Sequence, residues 1–415
     1  MQPSLPAPSP EARAHSERLS AFIRDDIAAH GGWIPFSRFM ELALYAPGLG
    51  YYAAGARKFG EAGDFITAPE LSPLFGRTLA RQVAEIMAES APRILELGAG
   101  SGKLAVDLLG ELERLDALPE RYSILEVSAD LRERQQKLVR EKLPHVFEQV
   151  EWLNALPEKI EGAVIGNEVL DALPVEVVQW LPSPLVREGR GRGDAPHLSS
   201  RPLSPTPLPR GERGNIILQR GVTTQNDGFV WQDRPAENAL LDAARQLDLS
   251  GDYLSEISLA TRGLIRTLCE RLHRGVLLFI DYGFGAREYY HPQRDQGTLM
   301  CHYRHRAHAD PFFLPGLQDI TAHVDFTAVH DSAIASGAHL LGYTSQAHFL
   351  INCGIGDFLT ASDPENLRAH LPLSAQLQKL TSPAEMGELF KVIALGKGIE
   401  TPLLGFMRGD LSRLL

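Results

Sequence analysis

The chain has 415 residues, 44% of them apolar and 22% charged, and a formal net charge of −11. This composition builds a globular core, and the length suits one large elaborated α/β domain or two domains. The acidic balance argues against nucleic acid as the main partner, no run of about 18 apolar residues offers a membrane span, and the scattered Cys269, Cys301 and Cys353 suit a reducing compartment and show no metal-ligand spacing. The first 18 residues are proline-rich and then charged, without the apolar core of a secretory signal, so the cytoplasm is the default location.

Residues 1–15 read as a disordered tail. Glu17 to His30 carries Leu19, Phe22, Ile23 and Ile27 at helical spacing and stops at Gly31-Gly32. Pro35 to Leu44 reads as a second short helix, followed by a loop through Gly50-Tyr51-Tyr52. Gly63-Asp64-Phe65-Ile66-Thr67-Ala68-Pro69-Glu70 is rich in turn residues and stands ahead of the first core strand, where it can fold over a ligand as a lid. Leu74 to Met87 is amphipathic. Strand and helix then alternate: 93–97, helix 102–115, 122–127, helix 129–141, 162–166, 275–281, with late strands at 325–329 and 389–395. Such alternation predicts a mostly parallel sheet covered by helices on both faces.

Residues 182–214 interrupt the pattern with many prolines, glycines and arginines and few apolar residues. Their flanks, Val175 to Leu181 and Asn215 to Val222, are strand-like, which predicts a disordered insertion at the tip of a β-hairpin. The organisation is then a tail (1–15), a helical and lid region (16–90), a first part of the core (91–181), the insertion (182–214), a hairpin and helical accessory region (215–274) and a second part of the core with a substrate-recognition insertion (275–415).

The chemistry starts at Leu95-Glu96-Leu97-Gly98-Ala99-Gly100-Ser101-Gly102-Lys103. A strand ends in a glycine turn that opens a helix, so bare backbone and helix N–H groups can approach a nucleotide-like ligand. A dinucleotide fingerprint fails because Lys103 stands where its last glycine belongs. A phosphate loop fails because Leu97 holds the first glycine position and Leu104 follows the lysine. The pattern E-x-G-x-G-x-G suits S-adenosylmethionine, and the bland reading is a turn that only packs strand on helix. Glu126, at the end of the next strand, has the spacing of a ribose ligand, with Val127 beside it. Glu96, Gly98, Gly100, Gly102, Glu126, Val127 and Asn167 are therefore the candidate cofactor residues, with Thr67 of the lid at the carboxylate end of the cofactor.

Several blocks resemble the MidA-like family of S-adenosylmethionine-dependent methyltransferases, relatives of the mitochondrial complex I assembly arginine methyltransferase. They are Met40-Glu41-Leu42-Ala43-Leu44-Tyr45 with Gly50-Tyr51-Tyr52, the segment 63–70, the glycine loop, Gly166-Asn167-Glu168-Val169-Leu170-Asp171-Ala172-Leu173-Pro174, and Asp319-Ile320-Thr321-Ala322-His323-Val324-Asp325-Phe326. The resemblance implies an α/β fold: a Rossmann-like seven-strand class I methyltransferase sheet with additional helical and β-hairpin substrate-recognition elements. It also implies methylation of arginine in a protein substrate, a respiratory-complex subunit among the candidates, and is compatible with a homodimer. The insertion at 182–214 looks foreign to the family.

A guanidinium acceptor needs carboxylates to hold and orient it. Glu168 and Asp171, after the fourth strand, and Glu256, in a helical-looking stretch, are the catalytic candidates, with Asp281 at another strand end. Asp171 could instead cap the turn before Pro174, Asp281 could fix its own loop, and Glu256 could be solvated. His302, His305, His308 and His323 match no defensible zinc pattern, and the stretch from Cys301 to Phe326 is a candidate wall of an acceptor channel. A cofactor-binding assembly factor without catalysis and a small-molecule methyltransferase are the alternatives.

Overall fold

Burial alternates along the first core strand: Ile94 and Glu96 face one side, Leu95 and Leu97 the other, and all four are buried, as in a strand covered on both faces. The computed structural model describes residues 5–54, 67–182, 215–249 and 251–415. Residues 63–66 of the lid segment and 183–214 of the insertion lie outside the described residues.

The chain opens with α1, Pro10–Ala29, whose cap Ser9 accepts from the Ala12 amide at 3.2 Å, with proline in the first turn. The helix therefore starts inside the segment assigned above to a disordered tail, because that segment carries its own start signal. Leu19, Ile23 and Ile27 point inward, whereas Phe22 is exposed. There follow β1 (Ile34–Pro35), α2 (Phe36–Tyr45), α3 (Ala68–Leu71) and α4 (Pro73–Glu89). The core then runs β2 (Arg93–Leu97), α5 (Lys103–Arg114), β3 (Arg121–Leu125), α6 (Ala129–Lys142), β4 (Val150–Leu153) and β5 (Ile160–Asn167). An accessory sheet uses β6 (Glu176–Leu181), β7 (Ile216–Gln225), β8 (Gly228–Pro235) and β9 (Tyr253–Ile257). After these come β10 (Leu272–Phe284), β11 (Met300–Tyr303), β12 (Arg306–His308), β13 (Asp319–Thr321), β14 (Val324–Asp325), β15 (His339–Ser345) and β16 (Phe390–Lys397).

The principal sheet has the order β15-β16-β10-β5-β2-β3-β4, with β14 beside β10. From β10 to β4 the neighbours are parallel, while β16 runs antiparallel to both β10 and β15. The architecture is thus α/β with a mixed sheet. One face packs Ile94, Tyr122, Ile165 and Leu278 against α4 and α5; the other packs Leu95, Val164, Leu277 and Phe279 against the helices Leu259–Arg271 and Phe326–Ala335. The chain leaves β2 toward β3 and β4, then returns to β5 on the other side of β2. This reversal opens a crevice at the carboxyl ends of β2 and β5, where open α/β sheets bind ligands.

Two elements depart from the sequence reading. Glu256 lies in the strand β9, not in a helix, because β6 pairs with it across Val177↔Glu256. Of the strand expected at 325–329 only Asp325 belongs to β14 and a helix follows it, since the Asp325 side chain accepts from the amides of Thr327 and Ala328, each at 3.1 Å, and caps a helical first turn. Among the described residues no helix is long and apolar enough to cross a membrane.

The flanks of the insertion form the antiparallel hairpin β6–β7, with Leu181 opposite Ile216. A two-residue turn can therefore bridge the strands directly. Replacing 183–214 with Asn-Gly is expected to leave the melting temperature equal to or above that of the parent, because shortening a loop lowers its closure cost. A drop of several degrees in calorimetry would mean that the segment contributes to the fold.

Candidate active site

The crevice is a cavity of about 890 Å³. One half is built on the loop after β2. Gly98, Gly100 and Gly102 hold φ of +62°, +54° and +85°, a region that side-chain-bearing residues enter only with strain. Gly98 and Gly100 line the cavity. Gly102 does not: it starts α5, and a Cβ there would press on Gln135 Cγ at 3.1 Å, so it serves the packing of α6. The short helix α3 is pinned to this loop, with Lys103 Nζ donating to the Pro69 carbonyl at 2.8 Å and the Ser101 hydroxyl donating to Glu70. Thr67 precedes α3 without capping it and lines the cavity.

Glu96 and Glu126 stand at the cavity wall, almost fully buried. Glu96 accepts from the Tyr122 hydroxyl at 2.8 Å, and burial lifts its carboxyl to about 7. Glu126 accepts from the Ser128 amide at 2.9 Å and from Gln135 Nε2 at 3.0 Å, and burial raises it as well. Gln135 also donates to the Gly100 carbonyl at 2.9 Å and accepts from Trp152 Nε1 at 3.0 Å. This glutamine, which the sequence reading passed over, ties the glycine loop to Glu126. Val127 is 74% exposed at the same wall, an apolar side chain offered to a ligand. Bare backbone, a held carboxylate for a diol, an apolar contact and surrounding acids for a cation make a donor set that fits a sulfonium nucleoside.

The other half is acidic. Glu168 has φ of +52°, unusual for a side-chain-bearing residue and a form of strain that collects at functional sites. Its amide donates to the Ile280 carbonyl at 2.9 Å, and Asn167 Nδ2 approaches its carboxylate at 3.3 Å. Burial, with Asp171 and Asp319 nearby, pushes Glu168 up to about 8, although the Ala68 amide donates to it. Asn167 Oδ1 is buried without a partner among the described residues. Asp171 accepts from the Tyr282 hydroxyl at 2.6 Å and is raised by burial to about 6. Asp281 lies behind the wall, accepting from the amides of Val169, Leu170 and Asp171 at 3.1, 2.9 and 3.3 Å, so it shapes the loop that carries Glu168 and Asp171.

Tyr45, Tyr52 and Asp319 are among the lining residues that carried no individual assignment from sequence. Their signal was membership of the resemblance blocks. His302, His305 and His308 belong to the β11–β12 hairpin, outside the cavity lining, and among the described residues no three His, Cys, Asp or Glu side chains gather as a metal site.

Glu256 is not part of this site. It is 2% exposed and accepts from the amides of Thr298 and Leu299 at 2.9 and 3.2 Å, from the Thr298 hydroxyl at 3.0 Å and from the Tyr289 hydroxyl at 3.4 Å. It fastens the segment 289–299 to β9. Glu256→Gln turns an amide donor toward these donors and is expected to cost about 1–3 kcal/mol in urea denaturation, with unchanged cofactor affinity in calorimetry.

A family model described as "Putative S-adenosyl-L-methionine-dependent methyltransferase" matches residues 76–344. The mitochondrial protein arginine methyltransferase NDUFAF7 homolog of Drosophila melanogaster is 28% identical, over 98% of this chain and 93% of that protein. Human mitochondrial protein arginine methyltransferase NDUFAF7 is 29% identical, over 88% of this chain and 80% of that protein. Among solved structures, a "likely methyl transferase" from Burkholderia thailandensis bound to S-adenosyl-homocysteine is 49% identical, covers 99% of this chain and 100% of its own, and superposes with a TM-score of 0.88.

Proposed function

Since the chain belongs to the family of S-adenosyl-L-methionine-dependent methyltransferases, we propose that it methylates an arginine side chain of a protein. The observation that carries this reading is the charge of the cavity. Among the described residues its wall bears eight carboxyl groups against one guanidinium, Arg38, which is spent on Asp26 at 3.0 Å and Glu41 at 2.8 Å. A cationic acceptor fits such a wall, and an anionic one does not. The names of the relatives support the same acceptor.

In this reading Gly98 and Gly100 cradle the cofactor, Glu126 holds its ribose diol, Val127 covers the base, and Thr67, Glu96 and Asn167 complete the grip. When bound, the cofactor supplies a methyl group on a positively charged sulfur, open to in-line displacement. The chain's own residues do the rest. Asp171 and Glu168 orient one guanidinium nitrogen toward that group. Arginine stays protonated in water, so a base must take the proton that the guanidinium sheds as its nitrogen gains a substituent. Glu168 is that base. The sheet is read as a Rossmann-like seven-strand class I methyltransferase sheet, to which the remaining strands and helices are additions. A respiratory-complex subunit is the proposed acceptor, in a reducing compartment, cytoplasm or mitochondrial matrix, where the free Cys269, Cys301 and Cys353 remain thiols.

The test is mass spectrometry of native proteins from cells with and without this chain. Methylarginine marks present only with the chain are expected; identical arginine methylation in both would overturn the reading.

A further inference from the structure

We propose that Gln135 is a positioning residue for the cofactor's ribose: with its amide oriented by Trp152, it sets the Glu126 carboxylate against the Gly100 backbone and makes the site select an intact diol. The inference rests on the reading above in which Glu126 holds that diol.

Gln135 belongs to α6 and is 0% exposed. Burying an amide is costly unless its polar atoms are paired, and here all of them are. Nε2 donates to the Gly100 carbonyl at 2.9 Å and to Glu126 Oε2 at 3.0 Å, while Oε1 accepts from Trp152 Nε1 at 3.0 Å. An indole N–H only donates, so the amide oxygen must face Trp152 and both N–H groups must face the two acceptors. The three partners demand one orientation of the amide. Gly100 and Glu126 both line the cavity, so a single nitrogen sets the span between the backbone cradle and the ribose acid.

The surroundings hold this nitrogen in place. The Ser128 amide, at the cap of α6, donates to Glu126 Oε1 at 2.9 Å, and the Val127 amide also favours the charged carboxylate. The bonds from Ser128 and Gln135, one to each oxygen, fix the plane of the carboxylate, and an oxygen accepts up to two. Arg132 of the same helix donates to the carbonyls of Glu126 and Leu153 at 2.7 and 3.1 Å, which ties the ends of β3 and β4 together. Trp152 lies on the edge strand β4, opposite Ile124 of β3, with its ring 6.0 Å from that of Phe147. The missing side chain of Gly102 lets α6 come this near, since a Cβ there would stand 3.1 Å from Gln135 Cγ. An apolar residue in place of Gln135 would fill the same space and leave Oε2 without its side-chain donor, free to turn out of line with two adjacent hydroxyls.

The experiment measures, by calorimetry on the full chain, the affinity of S-adenosyl-homocysteine and of its 2′-deoxy and 3′-deoxy analogues, with a thermal melt of each variant. In the wild type each analogue is expected to bind about tenfold to a hundredfold more weakly, the span of a hydrogen bond to a charged group. Gln135→Met keeps the length of the side chain and loses its donors. It is expected to weaken S-adenosyl-homocysteine by about tenfold and to shrink the penalty for a missing hydroxyl below about threefold. Trp152→Phe keeps a ring and loses the N–H that orients the amide. It should weaken S-adenosyl-homocysteine by about threefold and reduce the same penalty, and it carries the comparison if Gln135→Met does not fold. Unchanged affinity and unchanged penalties in the variants would overturn the inference and leave Glu126 as the ribose ligand. An equal loss for all three ligands would overturn it by making Gln135 a structural prop. A wild type that binds the deoxy analogues as tightly as S-adenosyl-homocysteine would overturn the Glu126 reading and this inference together.

Discussion

Gly100→Val is expected to abolish binding of S-adenosylmethionine, raising Kd by more than about a hundredfold, or about 2.7 kcal/mol. Two effects act together. Gly100 holds φ of +54° at the cavity wall. A β-branched residue pays about 1–2 kcal/mol or more to stay in that region, and if it moves away the cradle is lost. If it stays, its two methyl groups occupy the space that bare backbone leaves for the ligand. The strain also reaches Gln135, which donates to the Gly100 carbonyl. Calorimetry measures the affinity, and a thermal melt reports whether the chain still folds. Unchanged affinity in a folded variant would remove the glycine loop from the cofactor site.

Glu168→Gln is expected to lower turnover by about a hundredfold to ten-thousandfold, the usual worth of a positioned base, with cofactor affinity unchanged. The pH dependence identifies the role. Burial raises the Glu168 carboxyl from its ordinary 4.5 to about 8, so below that pH it holds a proton and cannot take one. In the wild type kcat/KM should therefore climb as pH rises through about 8, and the variant should lose this limb. Stability moves the other way. The folded chain binds this proton more tightly than the unfolded chain, so the stabilisation linked to it is complete below about 4.5 and fades as pH rises through about 8. Asp171 and Asp319 contribute to the raised value, and a bound guanidinium opposes it. Full activity of Glu168→Gln, or an unaltered pH profile, would exclude Glu168 as the base.

The sheet was legible where local pattern and tertiary role agree. The run Arg93–Leu97 has the apolar content of a strand buried on both faces, and the glycines after it announce the turn. Glu126 reaches the cavity wall because the βαβ unit fixes how far one strand end lies from the next. Legibility failed where a side chain's meaning depends on a distant partner. Tyr52 and Asp319 are 267 residues apart and meet only in the folded chain. Glu256 sits in a five-residue strand that is specified by its pairing with β6 rather than by its own periodicity. At Asp325 the aromatic and β-branched residues that follow suggested a strand, while the side chain two atoms from its own backbone had already committed the chain to a helix. Gly102 has the motif's spacing, yet its bareness is needed by the neighbouring helix and not by the ligand.

The position of β16 has a consequence for how the protein is made. This strand, Phe390–Lys397, is inserted between β10 and β15 and is buried along almost its whole length. Until residue 397 leaves the ribosome, β10 keeps an open hydrogen-bonding edge beside apolar residues destined for the interior. Pairing across more than a hundred residues is slow to form. The emerging polypeptide therefore passes through a long adhesive stage, and an interrupted translation product would leave that edge uncovered and prone to aggregate.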